Sequence, residues 1–256
     1  VLARFVEWVP ICPEEEAGLG TPREPMRLVD EDGTRRLVTV RSRRDVTGTL
    51  TMFASARVPQ LRSLHLDGFV LKKDSPSCGL TRVKVYSECG VAARTGRGLF
   101  AEALCAVLPT LPVEEEGRLR DPVIRENFIE RIYAYRRVRQ LLEGDAPTGD
   151  LVRFHTRHKL QLLAHSPARY AQLGRFVANA RTAAPEQRAF EYGRAFMAAL
   201  TTVVSRGRHV NVLQHVAGHF RCVVSTAARR DVAAAIADYQ RGLVPLVVPM
   251  RLIEHY

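Results

Sequence analysis

The sequence predicts an α/β domain with a mainly parallel sheet over residues 1–145, followed by an all-α helical domain over residues 146–256. Three observations lead there. Strand-like and helix-like runs alternate as far as about residue 142. The stretch Asp145-Ala146-Pro147-Thr148-Gly149-Asp150 is a cluster of turn formers. Beyond it apolar residues recur at helical spacing, as at Val232, Ile236, Tyr239 and Leu243, with no clear strand.

In the first part, strands are expected over residues 5–11, 36–40, 68–72, 83–86 and 112–115, and helices over 49–64 and 98–108. Asp121-Pro122 caps a long helix to about Leu142, proline being favoured at the first helical position. The acidic run Glu114-Glu115-Glu116 reads as a solvated strand end. In the second part, helices are expected over 151–164 with Asp150 as cap, 167–179 after Ser166-Pro167, 185–204, 211–224, and from Ser225 or Thr226 to Gly242. A short last helix closes the chain near Tyr256.

Lys and Arg number 38 against 27 Asp and Glu, a net charge of +11. The excess is uneven. Residues 1–147 carry 23 basic and 21 acidic side chains, net +2, whereas residues 148–256 carry 15 and 6, net +9. Seven of the eight histidines also lie in the second part. Basic charge concentrated in one domain suits a polyanion, because each neutralised phosphate releases counterions. Arginine-rich codon usage would explain the abundance of bases but not the shortage of acids.

No apolar run approaches the roughly 20 residues that cross a bilayer, and no signal peptide is legible. The five cysteines are odd in number and irregularly spaced, which argues against a disulfide framework. A cytoplasmic protein with free thiols or metal ligands is expected, with no membrane association. The sequence does not open on Met, and residues 1–6 read like the middle of an element, so further chain is expected upstream.

Two segments carry the chemistry. Cys12-Pro13-Glu14 opens a Gly/Pro-rich loop reaching Pro25, and Lys72-Lys73-Asp74-Ser75-Pro76-Ser77-Cys78-Gly79 follows a strand. Each puts a cysteine in a turn at the carboxyl end of an expected strand, where parallel sheets build their sites. Such loops offer free N–H groups to sulfur or anions, and nearby Lys or Arg favours the thiolate. Two isolated cysteines are, on spacing alone, as well read as packing residues or lone thiols. Cys105 and Cys222, set among apolar residues, read as buried. Gly96-Arg97-Gly98 before a helix is either a turn or a phosphate seat. His155, Arg157, His158 and Lys159 crowd one expected helix and read either as a phosphate-contacting face, which Asn211, His215 and His219 could join, or as a polar cluster satisfied in the core.

The stretch from Cys12 to Glu24 and the stretch Leu71-Lys72 to Ser75-Pro76-Ser77-Cys78-Gly79 resemble the thiouracil desulfidase family. The resemblance continues through Gly96-Arg97-Gly98-Leu99-Phe100-Ala101 and residues 111–117. It then enters a module similar to the YbgA-like helical domain, at residues 154–159, 164–167, 211–215 and 245–249. The two-module arrangement is similar to family members regarded as tRNA 4-thiouridine desulfidases. The resemblance implies a [4Fe-4S] cluster held by three cysteines with one iron open to substrate sulfur. Cys12 and Cys78 would be two of the ligands. In the family the third comes from an N-terminal Cys-Leu-Leu-Gly-type loop, which this sequence does not contain; Cys89 is the nearest spare thiol.

On that basis Glu14 is the candidate acid/base or a cap of its loop. Ser75 and Ser77 are candidates for holding the uracil edge or the cluster, or serve simple turn chemistry, and Lys72 stabilises charge on the departing sulfur or is a strand-end surface lysine. The expected reaction is non-redox desulfuration of a thiolated uracil, foremost 4-thiouridine in tRNA. The competing readings are a non-catalytic RNA-binding protein and a desulfidase of free thiouracil or thiouridine nucleotides.

Overall fold

The computed structural model describes residues 6–87, 89–143, 148–179, 185–219 and 224–256. The chain divides into two compact units, Val1–Tyr135 and Arg136–Tyr256. The expected fold class holds: an α/β region followed by a helical one.

In the first unit, β1 (Met26–Glu31) and β2 (Thr34–Thr39) form an antiparallel hairpin. Asp32 and Gly33 turn it with φ of 52° and 78°, the positive values a tight hairpin turn requires. β4 (Val83–Ser87) runs parallel to β1, and β5 (Ala92–Gly96) antiparallel to β4, giving the order β2-β1-β4-β5. β3 (Phe69–Leu71) and β6 (Val113–Glu115) pair in parallel as a separate small sheet. The strand arrangement is therefore mixed. Hairpins are antiparallel, and pairings across long connections are parallel.

Helices α1 (Thr47–Gln60) and α2 (Leu99–Val107) supply the apolar cover. Ala54, Val58 and Leu61 cluster with Phe100, Leu104 and Leu71, all 2% exposed or less. Leu28, Leu37, Leu50 and Val83 form a second cluster on the larger sheet. Each fully buried Leu or Phe stabilises by roughly 1.5–3 kcal/mol. Asp121 caps α3 (Pro122–Glu143), its carboxylate accepting from the N–H of Val123 at 2.8 Å and Ile124 at 3.2 Å.

Residues 6–12 form no strand, contrary to expectation. Trp8 and Val9 are 52% and 47% exposed while Ile11 packs on the core, so the segment lacks the regular inward alternation that a ladder buries.

The second unit holds α4 (Thr148–Arg157), α5 (Lys159–His165), α6 (Pro167–Ala178), α7 (Pro185–Leu200), α8 (Arg206–His219), α9 (Thr226–Arg241) and α10 (Val247–His255). Ser166 caps α6 by accepting from Arg169 N–H, and Ser225 caps α9 by accepting from Ala228 N–H. Gly242, at φ 82°, ends α9. The single helix expected over 151–164 is instead two, broken at His158. Asp150 lies inside α4 rather than at its cap. Cys222 lies outside the described residues.

Candidate sulfur-ligand site

Cys12 precedes a short wide helical turn, Glu15–Leu19, that leaves helical geometry at Gly18 (φ 81°). The turn is tied to Cys12 from both sides. Glu16 N–H donates to the Cys12 carbonyl at 2.9 Å, and Cys12 N–H donates to Glu16 Oε1 at 3.3 Å. Arg57 of α1 pairs with Glu16 at 3.1 Å, which anchors the loop to the α/β body. Further along, Arg23 turns back. It donates to the Gly20 carbonyl at 2.9 Å, approaches Cys12 Sγ at 3.9 Å and forms an ion pair with Glu14. Burial works against the Arg23 charge, but Glu14 and Cys12 outweigh it and raise its pKa. Glu24 then latches the turn before α1, accepting from the Ser42 N–H and hydroxyl, each at 2.8 Å.

The Cys78 loop leaves the carboxyl end of β3 and sits on the N-terminus of α2. Phe100 N–H donates to the Ser77 carbonyl at 2.9 Å, Leu99 N–H to the Pro76 carbonyl at 3.3 Å, and Gly98 N–H to the Gly79 carbonyl at 2.8 Å. These bonds use the helix-end donors that the sequence left open to a phosphate. The seat needs glycine: a Cβ on Gly98 would lie 2.4 Å from the Ser77 carbonyl carbon and oxygen. Within the loop, Ser75 Oγ accepts from Cys78 N–H at 3.1 Å and Ser77 N–H at 3.3 Å.

The two loops meet through Ser77 and Glu14. Ser77 is fully buried, and its hydroxyl donates to Glu14 Oε1 at 2.6 Å. Cys12 and Cys78 come close enough that charge on Cys12 raises the Cys78 pKa. Burial is the larger cause and Glu14 the next; together they push the Cys78 thiol up to about 12 against the opposing Ser75 hydrogen bond and Arg23. Beside Cys12 lies an open hollow of about 620 Å³, bordered by Glu14, Thr21, Arg23, Met26 and Pro76.

The donor set fits a cluster at two positions. The two thiols lie within electrostatic reach of each other, Cys12 borders the open hollow, and the Arg23 guanidinium lies beside it to offset negative charge. Among the described residues, no group of three or more His, Cys, Asp and Glu is placed to hold a metal ion. Cys105 packs against the α1–α2 core, and Cys89 is exposed next to the β4–β5 turn.

Lys72 is largely exposed and pairs with Glu116 at 3.1 Å; it does not border the hollow. Ser75 serves the loop's own turn. The acidic run is the largest correction. Glu114 and Glu115 are 7% and 2% exposed, not solvated. Glu115 Oε1 accepts from Leu80 N–H at 2.8 Å and Thr81 N–H at 3.3 Å. Glu114 accepts from Arg118 Nε at 2.7 Å, and Glu116 Oε2 from Lys73 N–H at 2.7 Å. Arg23 and Glu115 are the residues that sequence reasoning missed, while Gly98, singled out as a turn or a phosphate seat, instead seats the Cys78 loop. Glu115 carries no spacing signal because its amide partners lie 35 and 34 residues away, whereas Arg23 acts within its own loop.

In the helical unit the expected basic face does not form as drawn. His158 is 4% exposed, stacked on Phe154 with ring centroids 4.1 Å apart, so it is closed to a phosphate. His155 turns toward Tyr192, with Nδ1 3.0 Å from the hydroxyl, and stacks on Tyr170. Aromatic packing draws both rings inward. Arg157 remains exposed and Lys159 half-exposed, and His215 and His219 are exposed on α8.

Two thiols, a carboxylate and a guanidinium gathered in an α/β unit ahead of a helical unit define a two-module protein with a candidate sulfur-ligand site. Residues 1–116 match the family model described as 2-thiouracil desulfurase, and residues 159–256 the one described as protein of unknown function DUF1722. The chain is 35% identical over 135 residues to uncharacterized protein YbgA of Escherichia coli K12, covering 51% of this chain and 78% of that one. It is 36% identical over 74 residues to uncharacterized protein YbbK of Bacillus subtilis 168, covering 27% of this chain and 48%, about half, of YbbK. A solved [4Fe-4S]-dependent thiouracil desulfidase, TudS, is 29% identical over 44% of this chain and 70% of its own, with a TM-score of 0.33. The chain belongs to the YbgA family, and its first 116 residues match the 2-thiouracil desulfurase model. Among the described residues no helix is long and apolar enough to cross a membrane.

Proposed function

We propose that this protein removes sulfur from a thiolated uracil, with Cys12 and Cys78 as two thiolate ligands of a [4Fe-4S] cluster and 4-thiouridine in tRNA as the substrate. The observation that carries this reading is the Ser77–Glu14 hydrogen bond, which joins the two cysteine loops and sets a carboxylate between them. The 2-thiouracil desulfurase match over residues 1–116 supports it. A cluster held by Cys12 and Cys78 would supply a soft Lewis acid matched to a thiocarbonyl sulfur.

The chain's own residues supply the rest. Glu14, held by Ser77 and Arg23, is the group that handles the proton of the attacking water. Arg23 offsets negative charge gathered at Cys12 and Glu14. Water oxygen replaces sulfur on the ring carbon, sulfur leaves as hydrosulfide, and the released proton passes to Glu14 and then solvent. No oxidant or reductant is consumed. The net charge of +9 over residues 148–256, with Arg157 and Lys159 outward, supports tRNA over a free base.

The test is anaerobic reconstitution with iron and sulfide. Bound iron, sulfide release from free thiouracil and sulfide release from 4-thiouridine tRNA are then measured for the wild type, Cys12→Ser and Cys78→Ser. The reading expects a brown wild-type protein active on tRNA, and colourless, inactive variants. A colourless wild type that still shifts tRNA would leave the RNA-binding reading. Activity on the free base with no salt-sensitive tRNA binding would leave the small-molecule desulfidase.

A further inference from the structure

The chain between β3 and β4 has two legs, and a carboxylate from the end of β6 grips each of them. The outgoing leg leaves β3 at Leu71. Glu116 N–H donates to the Leu71 carbonyl at 3.1 Å, and Glu116 Oε2 accepts from Lys73 N–H at 2.7 Å. The returning leg enters β4 at Val83. There Glu115 Oε1 accepts from two consecutive amides, Leu80 at 2.8 Å and Thr81 at 3.3 Å. Cys78 lies between the legs.

Neither carboxylate is hydrogen-bonded to Cys78; Glu116 is partly exposed, but Glu115 is not where an ordinary acidic run would be. Glu115 is 2% exposed. A buried carboxylate is costly unless hydrogen bonds satisfy it, so its burial implies that those bonds have a use. The parallel pairing of β3 with β6 puts Leu71 opposite Glu115, so both acids fall at the carboxyl edge where the loop begins and returns. The side chains continue as hydrogen bonds the ladder that the backbone of β3 abandons after Leu71. Arg118 holds the neighbouring Glu114 at 2.7 Å and keeps the acidic strand end in place.

We propose that Glu115 and Glu116 are positioning residues for Cys78, gripping the two legs of its loop so that the sulfur stays aimed at the site shared with Cys12. The inference rests on the reading of Cys78 as a ligand.

The test uses the cluster-free full chain and reads alkylation of single cysteines by iodoacetamide, resolved by peptide mass spectrometry. Exposed Cys89 and core Cys105 serve as internal references. Glu115→Ala and Glu116→Ala are each expected to raise the Cys78 rate about tenfold, the effect of losing about one net hydrogen bond against loop opening. Cys89 and Cys105 should not change. Glu115→Gln keeps an acceptor oxygen and should stay within about twofold of wild type. An unchanged Cys78 rate in either alanine variant that folds overturns the proposal. A parallel rise at Cys105 overturns it too, because the whole unit would then have loosened. If Glu115→Ala does not fold, Glu116→Ala and Glu115→Gln decide on the same criteria. Iron uptake by the wild type, measured alongside, fails separately if the ligand reading itself is wrong.

Discussion

Ser77 Oγ donates to Glu14 Oε1 at 2.6 Å across 63 residues of sequence, and neither partner has an equal substitute nearby. The hydroxyl is fully buried and the carboxylate is already engaged by Arg23. Ser77→Ala removes the donor and leaves the carboxylate one bond short. Hydrogen bonds to charged groups contribute roughly 1.5–3 kcal/mol. A loss of about 2 kcal/mol is expected in urea unfolding, together with lower sulfide release because Glu14 can swing. Full activity at wild-type stability would remove Glu14 from its proposed role.

Gly98→Ala should be more damaging than Ser77→Ala. The added methyl would lie 2.4 Å from backbone atoms of Ser77, which cannot rotate away as a side chain can. Either the loop lifts from α2 and exposes helix-end donors, or α2 shifts against the Phe100 core. A cost of about 3 kcal/mol is expected, in the upper range for single substitutions. Urea midpoints of the variant and of a Gly48→Ala control, where nothing lies within 4 Å, give the comparison.

Arg23→Lys separates charge from geometry. Lysine keeps the positive charge but not the planar fork that reaches Glu14, Cys12 and the Gly20 carbonyl together. Stability should stay within about 1 kcal/mol, because the site is partly open. Sulfide release per bound iron should fall about tenfold, roughly the energy of one charge-assisted hydrogen bond. Unchanged turnover would mean that charge alone suffices.

The helical unit should lose stability in acid. His158 gives its Nδ1 proton to the Phe154 carbonyl at 2.8 Å, and its Nε2 is buried with no partner among the described residues. Protonating Nε2 would bury an N–H with no acceptor. Burial is the main reason its pKa lies below the ordinary 6.5, and the Phe154 bond opposes it. Arg137, Arg157 and His155 lower the pKa further. As pH falls through about 6.5 the unfolded chain takes the proton and the folded one does not, so stability present at neutral pH is lost. His155, lowered by burial, adds to the slope. Urea titrations at about pH 7 and about pH 5 should show the loss, and His158→Phe should flatten it.

Much of this was legible in the sequence. The Pro122 start of α3, the Ser166-Pro167 start of α6 and the Gly242 stop of α9 fall where capping chemistry puts them. β1 was not found because Arg27, Asp30 and Glu31 break its alternation. The Asp32-Gly33 turn was the signal that could have revealed it. β5, nearly all exposed and with no large apolar residue, carries no signal of its own. The two cysteines could be picked out, but what holds them could not. Glu115 reads as solvated because its partners are two backbone amides some 35 residues away. The sequence leaves His158 open between a phosphate-contacting face and the core because its burial depends on Phe154 and Phe196 packing from a neighbouring turn and a separate helix.

The seat of the Cys78 loop on α2 has a consequence for how the site tolerates change. Main chain rests on main chain there, carbonyl against amide. No side chain can be tuned to strengthen the contact or exchanged to replace it. Sequence drift around Cys78 is thus free to alter shape and charge on the outer side of the turn while the sulfur keeps its place. The freedom ends at positions 79 and 98, where one added carbon would press on the loop's own backbone.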